Sequence, residues 1–261
     1  MTDSYTYKYP RPALTADCVI FGFDGQTLKL LLIERGIEPY KGYWALPGGF
    51  MRMDETIDEC ARRELMEETG IRDIYIEQFR VFSTTDRDPR GRVVTVAFVA
   101  LVRPEAYRIA AGDDANNAMW FDSNELPPLA FDHEAIIKAA HEHLREILRV
   151  RPIAFNLLDK VFTIDELRRV YEAINNTTYD RRNFSRKVMQ SGMIVDANAC
   201  DDDYACNDDD ACDDDDACII SVTKECRSLK SATRHRRLFS FCDNKNPEDS
   251  GDGSTKDIFN F

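Results

Sequence analysis

Three glutamates, Glu64, Glu67 and Glu68, stand at i, i+3 and i+4 inside the stretch Gly49 to Ile71, GFMRMDETIDECARRELMEETGI. The stretch reads as a helix: Asp54 is placed to cap a start near Glu55, no Pro or Gly interrupts the next fourteen residues, and Gly70 supplies a stop. Turned at about 100° per residue, Ile57, Cys60, Ala61 and Leu65 form an inward stripe, with Asp58, Glu59, Arg62 and Met66 pointing away. An acidic helix is ordinarily a solvated face. Here the period places Glu64, Glu67 and Glu68 within the inward arc, beside apolar side chains. Carboxylates that close, and partly buried, repel one another and need more positive charge than Arg63 alone supplies. All-oxygen ligands with no His or Cys cluster nearby suit Mg²⁺ or Mn²⁺ better than Zn²⁺. Such an ion, held by a helix on one side and water on the other, is suited to phosphate chemistry.

The stretch resembles a Nudix box: Gly, five residues, Glu, seven residues, Arg-Glu, an aliphatic, any residue, Glu-Glu, any residue, Gly, aliphatic. Gly49, Glu55, Arg63, Glu64, Leu65, Glu67, Glu68, Gly70 and Ile71 fill every constrained slot. The resemblance implies that Glu64, Glu67 and Glu68 bind the metal, that Arg63 orients the glutamates, and that Glu55 braces the loop against the helix.

The flanking elements must position that helix. Residues 1–12 read as a flexible lead-in. Leu14 to Phe23 and Leu28 to Glu34 read as β-strands joined by a turn at Asp24-Gly25. A loop from Gly36 to Gly42 follows, and Tyr43-Trp44-Ala45-Leu46-Pro47-Gly48-Gly49 leads into the helix. Trp44 and Pro47 fit core and turn roles; equally, Gly48 and Gly49 would let the backbone approach a substrate phosphate.

Ile74 to Ser83 and Arg92 to Val102 read as further strands around Asp86-Arg87-Asp88-Pro89-Arg90-Gly91-Arg92. That cluster fits a solvated turn. Arginine forks also suit diphosphates, and DRDPRGRVVTVAF resembles a segment of ADP-ribose hydrolases and related Nudix regulators, which makes Arg87, Arg90 and Arg92 candidate substrate arms. Ala118 to Phe121 is expected to be a short strand, with Ser123 to Pro128 a loop that could contribute to a ligand pocket. Glu125 and Asp132 are distal candidates for a general base, and a glutamate of the box is the other. Glu134 to Val150 reads as an amphipathic helix with Ile136, Ile137, Ala140, Leu144 and Leu148 on one face. His133, His141 and His143 do not make a metal trio, because His141 and His143 lie on different sides of that helix.

From Arg151-Pro152 onward, Phe155 to Val161, Thr163 to Ile174 and Tyr179 to Gln190 read as three short helices, with Asn175 to Thr178 between the last two. The spacing suits a helix-turn-helix whose third helix carries Arg181, Arg182, Arg186 and Lys187; a helical docking unit with ordinary surface charge is the other reading. FNLLDKVFTIDELRRVYEAINNTTYDRRNFSRKVMQSGMI resembles the winged-helix tail of Nudix-type transcription regulators. That resemblance implies a basic wing, and Arg234 to Phe241, with Arg236 and Arg237, fits its returning strand.

Where that family has a compact wing, ACDDDY, ACNDDD and ACDDDD repeat from Ala199 to Asp216. Low-complexity acid cannot bury a core. The tract reads as an inert loop, with metal scavenging by Cys200, Cys206, Cys212 and Cys218, or competition with DNA phosphate, as sharper alternatives. Its six-residue period matches no zinc module. Cys18, Cys60, Cys226 and Cys242 show no disulfide framework and are expected to be free thiols. Eleven aspartates between Asp196 and Asp216 carry all but −2 of the formal charge of −13, so the rest of the chain is not too acidic for a nucleic-acid partner.

The expected architecture is α/β: a mixed-sheet α/β/α Nudix sandwich over residues 13–150, plus a small winged-helix domain over 151–261 interrupted by the acidic insertion at 196–218. No apolar run has the length of a signal or of a membrane span, so a cytoplasmic chain with no membrane partner is expected. The expected activity is metal-dependent cleavage of the diphosphate of a nucleoside diphosphate linked to another moiety, with ADP-ribose-like, nucleotide-sugar-type substrates favoured. The alternative is a regulator that senses ADP-ribose or a sugar and binds duplex DNA. A homodimer is the expected assembly.

Overall fold

The computed structural model describes residues 7–107, 109, 115–197 and 238–241. Two compact units divide between Leu144 and Arg145.

The first unit is built on β1 (Ala13–Phe23), a strand buried on both faces from Thr15 onward, as its mostly apolar sequence from Cys18 to Phe23 favours. β1 pairs antiparallel with β2 (Leu28–Arg35) and parallel with β6 (Val93–Val102), and β6 pairs antiparallel with the edge strand β5 (Glu77–Phe82). Two short strands, β3 (Trp44–Ala45) and β4 (Gly48–Phe50), attach to β2 and β1, and β7 (Ala115–Asp122) closes on β2, giving a seven-stranded mixed sheet.

One face of this sheet is covered by α1 (Ile57–Thr69), whose Cys60, Ala61 and Leu65 pack on Ala16, Cys18, Ile20, Leu31 and Phe98. The alternate residues of β1 point the other way: the Phe21 ring lies 4.8 Å from that of His141 in α2 (His133–Val150). Ile136, Ile137, Ala140 and Leu144 of α2 are buried, as their spacing predicts.

α1 begins later than the sequence suggests. Its N-cap is Thr56, not Asp54: the Thr56 hydroxyl accepts the Glu59 amide and the Glu59 carboxylate accepts the Thr56 amide, a reciprocal capping box. Starting there leaves Glu55 outside the helix, free to reach Arg63. Gly70 ends α1 in the left-handed conformation at φ 75°, its N–H on the Met66 carbonyl.

In the second unit, the helix expected over Phe155 to Val161 is a short 3₁₀ segment at Ile153–Leu157, and Val161 opens a strand, β8 (Val161–Phe162). The correction has a tertiary cause: Val161 and Phe162 pair with Ser240 and Phe239, and a local helical preference over so few residues cannot compete. α3 (Ile164–Asn175) starts on a second capping box, Thr163 with Glu166, and ends on Asn176 at φ 50°. α4 (Arg181–Ser191) is capped by Asp180 and terminated by Gly192. β9 (Ile194–Asp196) and β10 (Phe239–Phe241) complete a three-stranded antiparallel sheet in the order β8-β10-β9, the wing of a winged helix. The acidic repeat with Cys200, Cys206, Cys212 and Cys218, and the arginines Arg236 and Arg237, lie outside the described residues. Among the described residues no helix is long and apolar enough to cross a membrane.

Candidate active site

The helix α1 presents its glutamates around Arg63. The Arg63 Nε and Nη2 donate to Glu55 at 2.8 and 2.6 Å, Nη1 donates to Glu64 at 2.6 Å and to Glu67 at 3.0 Å, and Nη2 also reaches the Phe50 carbonyl at 3.1 Å. Hydrogen bonding to Arg63 holds the Glu55 carboxyl down at about 2, and raises the Arg63 guanidinium in return. The same arginine therefore ties the loop before the helix to two of its glutamates.

Glu68 is outside the reach of these bonds. Its Oε2 accepts the Gly48 N–H at 2.8 Å, yet burial, with the charges of Glu64 and Asp17 added, pushes Glu68 up to about 8. Burial also raises Glu64. Gly48 is required by close approach, since a Cβ there would lie 2.1 Å from the Ala16 carbonyl oxygen, while a Cβ on Gly49 would lie 2.5 Å from the Glu64 carboxyl and displace that side chain.

These side chains line a cavity of about 300 Å³. Asp17, Glu64, Glu67 and Glu68 give it acidic walls, while Arg35, Arg87 and Arg90 bring guanidinium groups to the same space. Glu67 stands at the mouth, with 42% of its side chain exposed, rather than in the inward arc expected for it. The reason is its place on the far edge of the helix stripe, beside the exposed Met66.

The donor set fits a hard divalent cation in its chemistry. Glu64 and Glu68 have their proton affinities raised because burial leaves their charge short of compensation, and Arg63 is shared among Glu55, Glu64 and Glu67. Among the described residues no three His, Cys, Asp or Glu side chains converge as a ready-made metal cage. His133, His141 and His143 take separate partners, the Leu46 amide, the Phe21 ring and the Phe79 ring respectively.

The three candidate arm arginines go to different places. Arg87 lines the cavity, but its side chain is 4% exposed and committed to Asp132, at 2.7 and 3.0 Å, and to Asp17 at 3.4 Å. Arg90 lines the cavity, paired with Asp88, with its guanidinium over the rings of Phe50 and Phe131. Arg92 lies outside it and donates to the Ser83 and Thr84 carbonyls. Of the distal carboxylates, neither Glu125 nor Asp132 lines the cavity.

Sequence reasoning passed over Thr15, Asp17, Arg35 and Phe131, and set His133 aside with the other histidines. Thr15 and Asp17 sit on β1, where two polar residues in an otherwise apolar buried strand were the available signal. Phe131 and His133 arrive because the chain before α2 is stitched to β3: the Trp44 N–H donates to the Pro128 carbonyl and the Ala130 N–H to the Trp44 carbonyl. His133 is neutral, since burial lowers it, and the Leu46 N–H donates to its Nδ1 at 2.9 Å, which places the ring proton on Nε2.

In the second unit, α4 exposes Arg181, Arg182 and Arg186, with Lys187 half-buried. Arg181 pairs with Asp165 at 2.7 Å and Arg186 donates to Asn183. Phe184 and Val188 anchor the opposite face in the core of the unit.

Comparison with known proteins agrees with both halves. The NUDIX domain model matches residues 11–140, and the NrtR DNA-binding winged helix domain model matches residues 154–205. The chain is 35% identical over 194 residues to the ADPR responsive transcriptional repressor NtrR of Acinetobacter baylyi, covering 73% of this chain and 77% of that protein. It is 45% identical over 130 residues to the ADP-ribose pyrophosphatase of Methanocaldococcus jannaschii, covering 50% of this chain and 73% of that one. The crystal structure of Shewanella oneidensis NrtR complexed with a 27mer DNA superposes with a TM-score of 0.65 at 28% identity, covering 88% of this chain and 93% of that chain. The chain belongs to the Nudix family, among the members that carry an NrtR-type winged helix behind the Nudix domain.

Proposed function

We propose that the chain hydrolyses the diphosphate of a nucleoside diphosphate linked to another moiety, with ADP-ribose as the first substrate to try. The observation that carries this reading is that Glu64, Glu67 and Glu68, together with Gly48 and Gly49, line one cavity, with Glu68 half-buried close to the charges of Glu64 and Asp17. Glu64, Glu67 and Glu68 would hold Mg²⁺ or Mn²⁺, which when bound supplies charge neutralisation and Lewis acidity toward a diphosphate.

The chain's own residues do the rest. Arg63 keeps Glu64 and Glu67 on one side of the cavity and braces them through Glu55. The Gly48 N–H orients the Glu68 carboxylate. With neither Glu125 nor Asp132 lining the cavity, the proton of an attacking water falls to a glutamate of the helix. Leu46 and the buried His133, joined by the Leu46 N–H to Nδ1 bond, form part of the cavity lining.

The test is release of AMP from ADP-ribose with Mg²⁺, wild type against Glu68→Gln. The substitution should lower kcat by about 10² to 10⁴. Absence of metal-dependent turnover across a nucleotide panel would remove the hydrolytic reading.

A second reading is favoured by α4, whose exposed Arg182 and Arg186 suit a DNA backbone, and by the similarity to a repressor described as ADPR responsive. In it the Nudix cavity senses an ADP-ribose-type ligand and the winged helix binds duplex DNA. Arg236 and Arg237 are further candidates for DNA contact by their charge, and a homodimer would present two such helices. A salt-dependent shift of promoter DNA that persists unchanged in Arg182→Ala/Arg186→Ala would take α4 out of that role.

A further inference from the structure

The outer face of α4 holds positive charge that its own surroundings do not neutralise. Arg182, Arg186 and Met189 stand at i, i+4 and i+7, all exposed, on the side away from the buried Phe184 and Val188. The helix contains no acidic residue. Arg181, at the edge of the stripe, pairs with Asp165 at 2.7 Å, while Arg186 donates to the neutral Asn183 at 2.7 Å. Among the described residues neither Arg182 nor Arg186 meets a carboxylate. The face therefore keeps its charge for an anionic partner.

The wing attached to α4 fixes where such a partner starts. Only Gly192 and Met193 separate α4 from β9, and β10 returns beside β9 with Phe239 opposite Asp196. Beyond that pair the buried Ala197 donates its N–H to the Leu238 carbonyl at 3.0 Å. The connection 198–237 therefore leaves and re-enters the wing at one point. Residues 201–216 hold ten aspartates in runs of three, three and four, and no Lys or Arg stands between Ala197 and Thr223. At about 3.3–3.6 Å per extended residue, Ala199 to Asp216 can span about 60 Å, whereas α4 at about 1.5 Å per residue is about 16 Å long. Reach does not limit the encounter. A segment joined this closely meets α4 at an effective concentration on the order of 1 mM. Non-specific DNA, the competing polyanion, binds such proteins with Kd of about 10⁻⁴–10⁻⁶ M. An acid tract that binds only as well as the weak end of that range still fills the face about ten times as often as it leaves it open.

We propose that the exposed face of α4 is a docking surface for the chain's own aspartate tract, Asp201 to Asp216, which occupies Arg182 and Arg186 in competition with duplex DNA. The docking stands on charge and on the point of attachment; its effect on DNA rests on the reading of α4 as the DNA-contacting helix. Within the connection the basic residues from Lys224 to Arg237 are a rival partner for the aspartates. α4 has the advantage of order: Phe184 and Val188 hold the helix in the core of its unit, so Arg182 and Arg186 are already one turn apart on one face before the anion arrives.

The experiment uses the full chain and phenylglyoxal, an arginine-selective reagent, with the modified peptides read by mass spectrometry. Wild type is compared with a variant in which the ten aspartates of 201–216 are changed to Asn, which keeps length and shape. At low salt Arg182 and Arg186 should react about tenfold more slowly in wild type than in the neutralised variant. The exposed Arg72 of the first unit should react equally in both. Raising NaCl to about 1 M, where the screening length falls to about 3 Å, should release the protection in wild type by itself, so the test survives a variant that folds poorly. Equal rates at Arg182 and Arg186 overturn the proposal, as does a change confined to Arg234, Arg236 and Arg237, which would place the aspartates on their own connection. Binding of a short duplex of arbitrary sequence is measured alongside. The neutralised variant should bind it about tenfold more tightly than wild type, and the gain should vanish in the Arg182→Ala/Arg186→Ala background. A gain that survives there overturns the competition, because general repulsion would explain it. Protection of Arg182 and Arg186 with no DNA binding by any variant leaves the docking standing without the regulator. DNA binding through α4 with no protection leaves the regulator standing without the docking.

Discussion

Arg87→Met removes the guanidinium that bridges Asp17 and Asp132 while keeping most of the aliphatic stem. The substitution breaks a two-pronged pair to Asp132, at 2.7 and 3.0 Å, and a longer one to Asp17 at 3.4 Å. Asp17 keeps only 9% of its side chain exposed and Asp132 keeps 21%, so neither can rehydrate freely once the cation is gone. Neutral His133, whose Nε2 is 3.9 Å from Asp17, cannot replace the missing charge. Breaking a buried pair from one side costs about 3–5 kcal/mol; partial access of water to Asp132 places the expectation near the lower end, about 3 kcal/mol. In urea, where slopes run about 1–3 kcal/mol per molar, that is a midpoint lowered by roughly 1–3 M. The chain's two tryptophans, Trp44 and Trp120, both lie in the first unit, so tryptophan fluorescence follows its unfolding without interference from the second. Arg87→Met/Asp132→Asn should recover part of the stability, since it removes one of the stranded charges. A destabilisation under about 1 kcal/mol together with a raised KM for ADP-ribose would refute this reasoning and return Arg87 to the role of a substrate arm.

Gly48→Ala drives a methyl group to 2.1 Å from the Ala16 carbonyl and displaces the amide that holds Glu68, so it should cost about 1–3 kcal/mol in the same fluorescence assay and abolish turnover; near-native activity would show that the β4 turn yields easily. The Glu55–Arg63 pair makes a pH-dependent contribution whose sign follows from the depressed Glu55 value of about 2. That stability is present in full above the unfolded carboxyl range near 4.5 and is lost as pH falls toward 2, so the stability gap between wild type and Glu55→Gln should shrink from pH 6 to pH 3. A gap that does not change over that interval would show that the pair contributes nothing through its charge.

Much of this protein was legible without coordinates, because the information is local. The period of α1, its glycine stop, the apolar runs of β1 and β2 and the Thr163 cap are set by residues within one or two turns of each other. The box spacing likewise fixes which side chains share a helix face, so the neighbourhood of Glu64 and Glu68 followed from counting. The errors at Asp54 and at Val161 had different sources: in the first a better local cap, the Thr56 capping box, displaced the expected one, and in the second a distant strand partner at Phe239 and Ser240 outcompeted the local helical preference.

The cavity's other walls were decided only by tertiary structure. Arg87 and Arg90 are three residues apart in a polar loop, and nothing local says that one is buried on Asp17 and Asp132 while the other lies over Phe131. Phe131 and His133 reach the glutamates through backbone bonds to Trp44, more than 80 residues away in sequence. Helix and strand periods are written in neighbouring side chains, but which distant carboxylate an arginine finds, and whether it is thereby neutralised or left exposed to a ligand, depends on packing across the sheet.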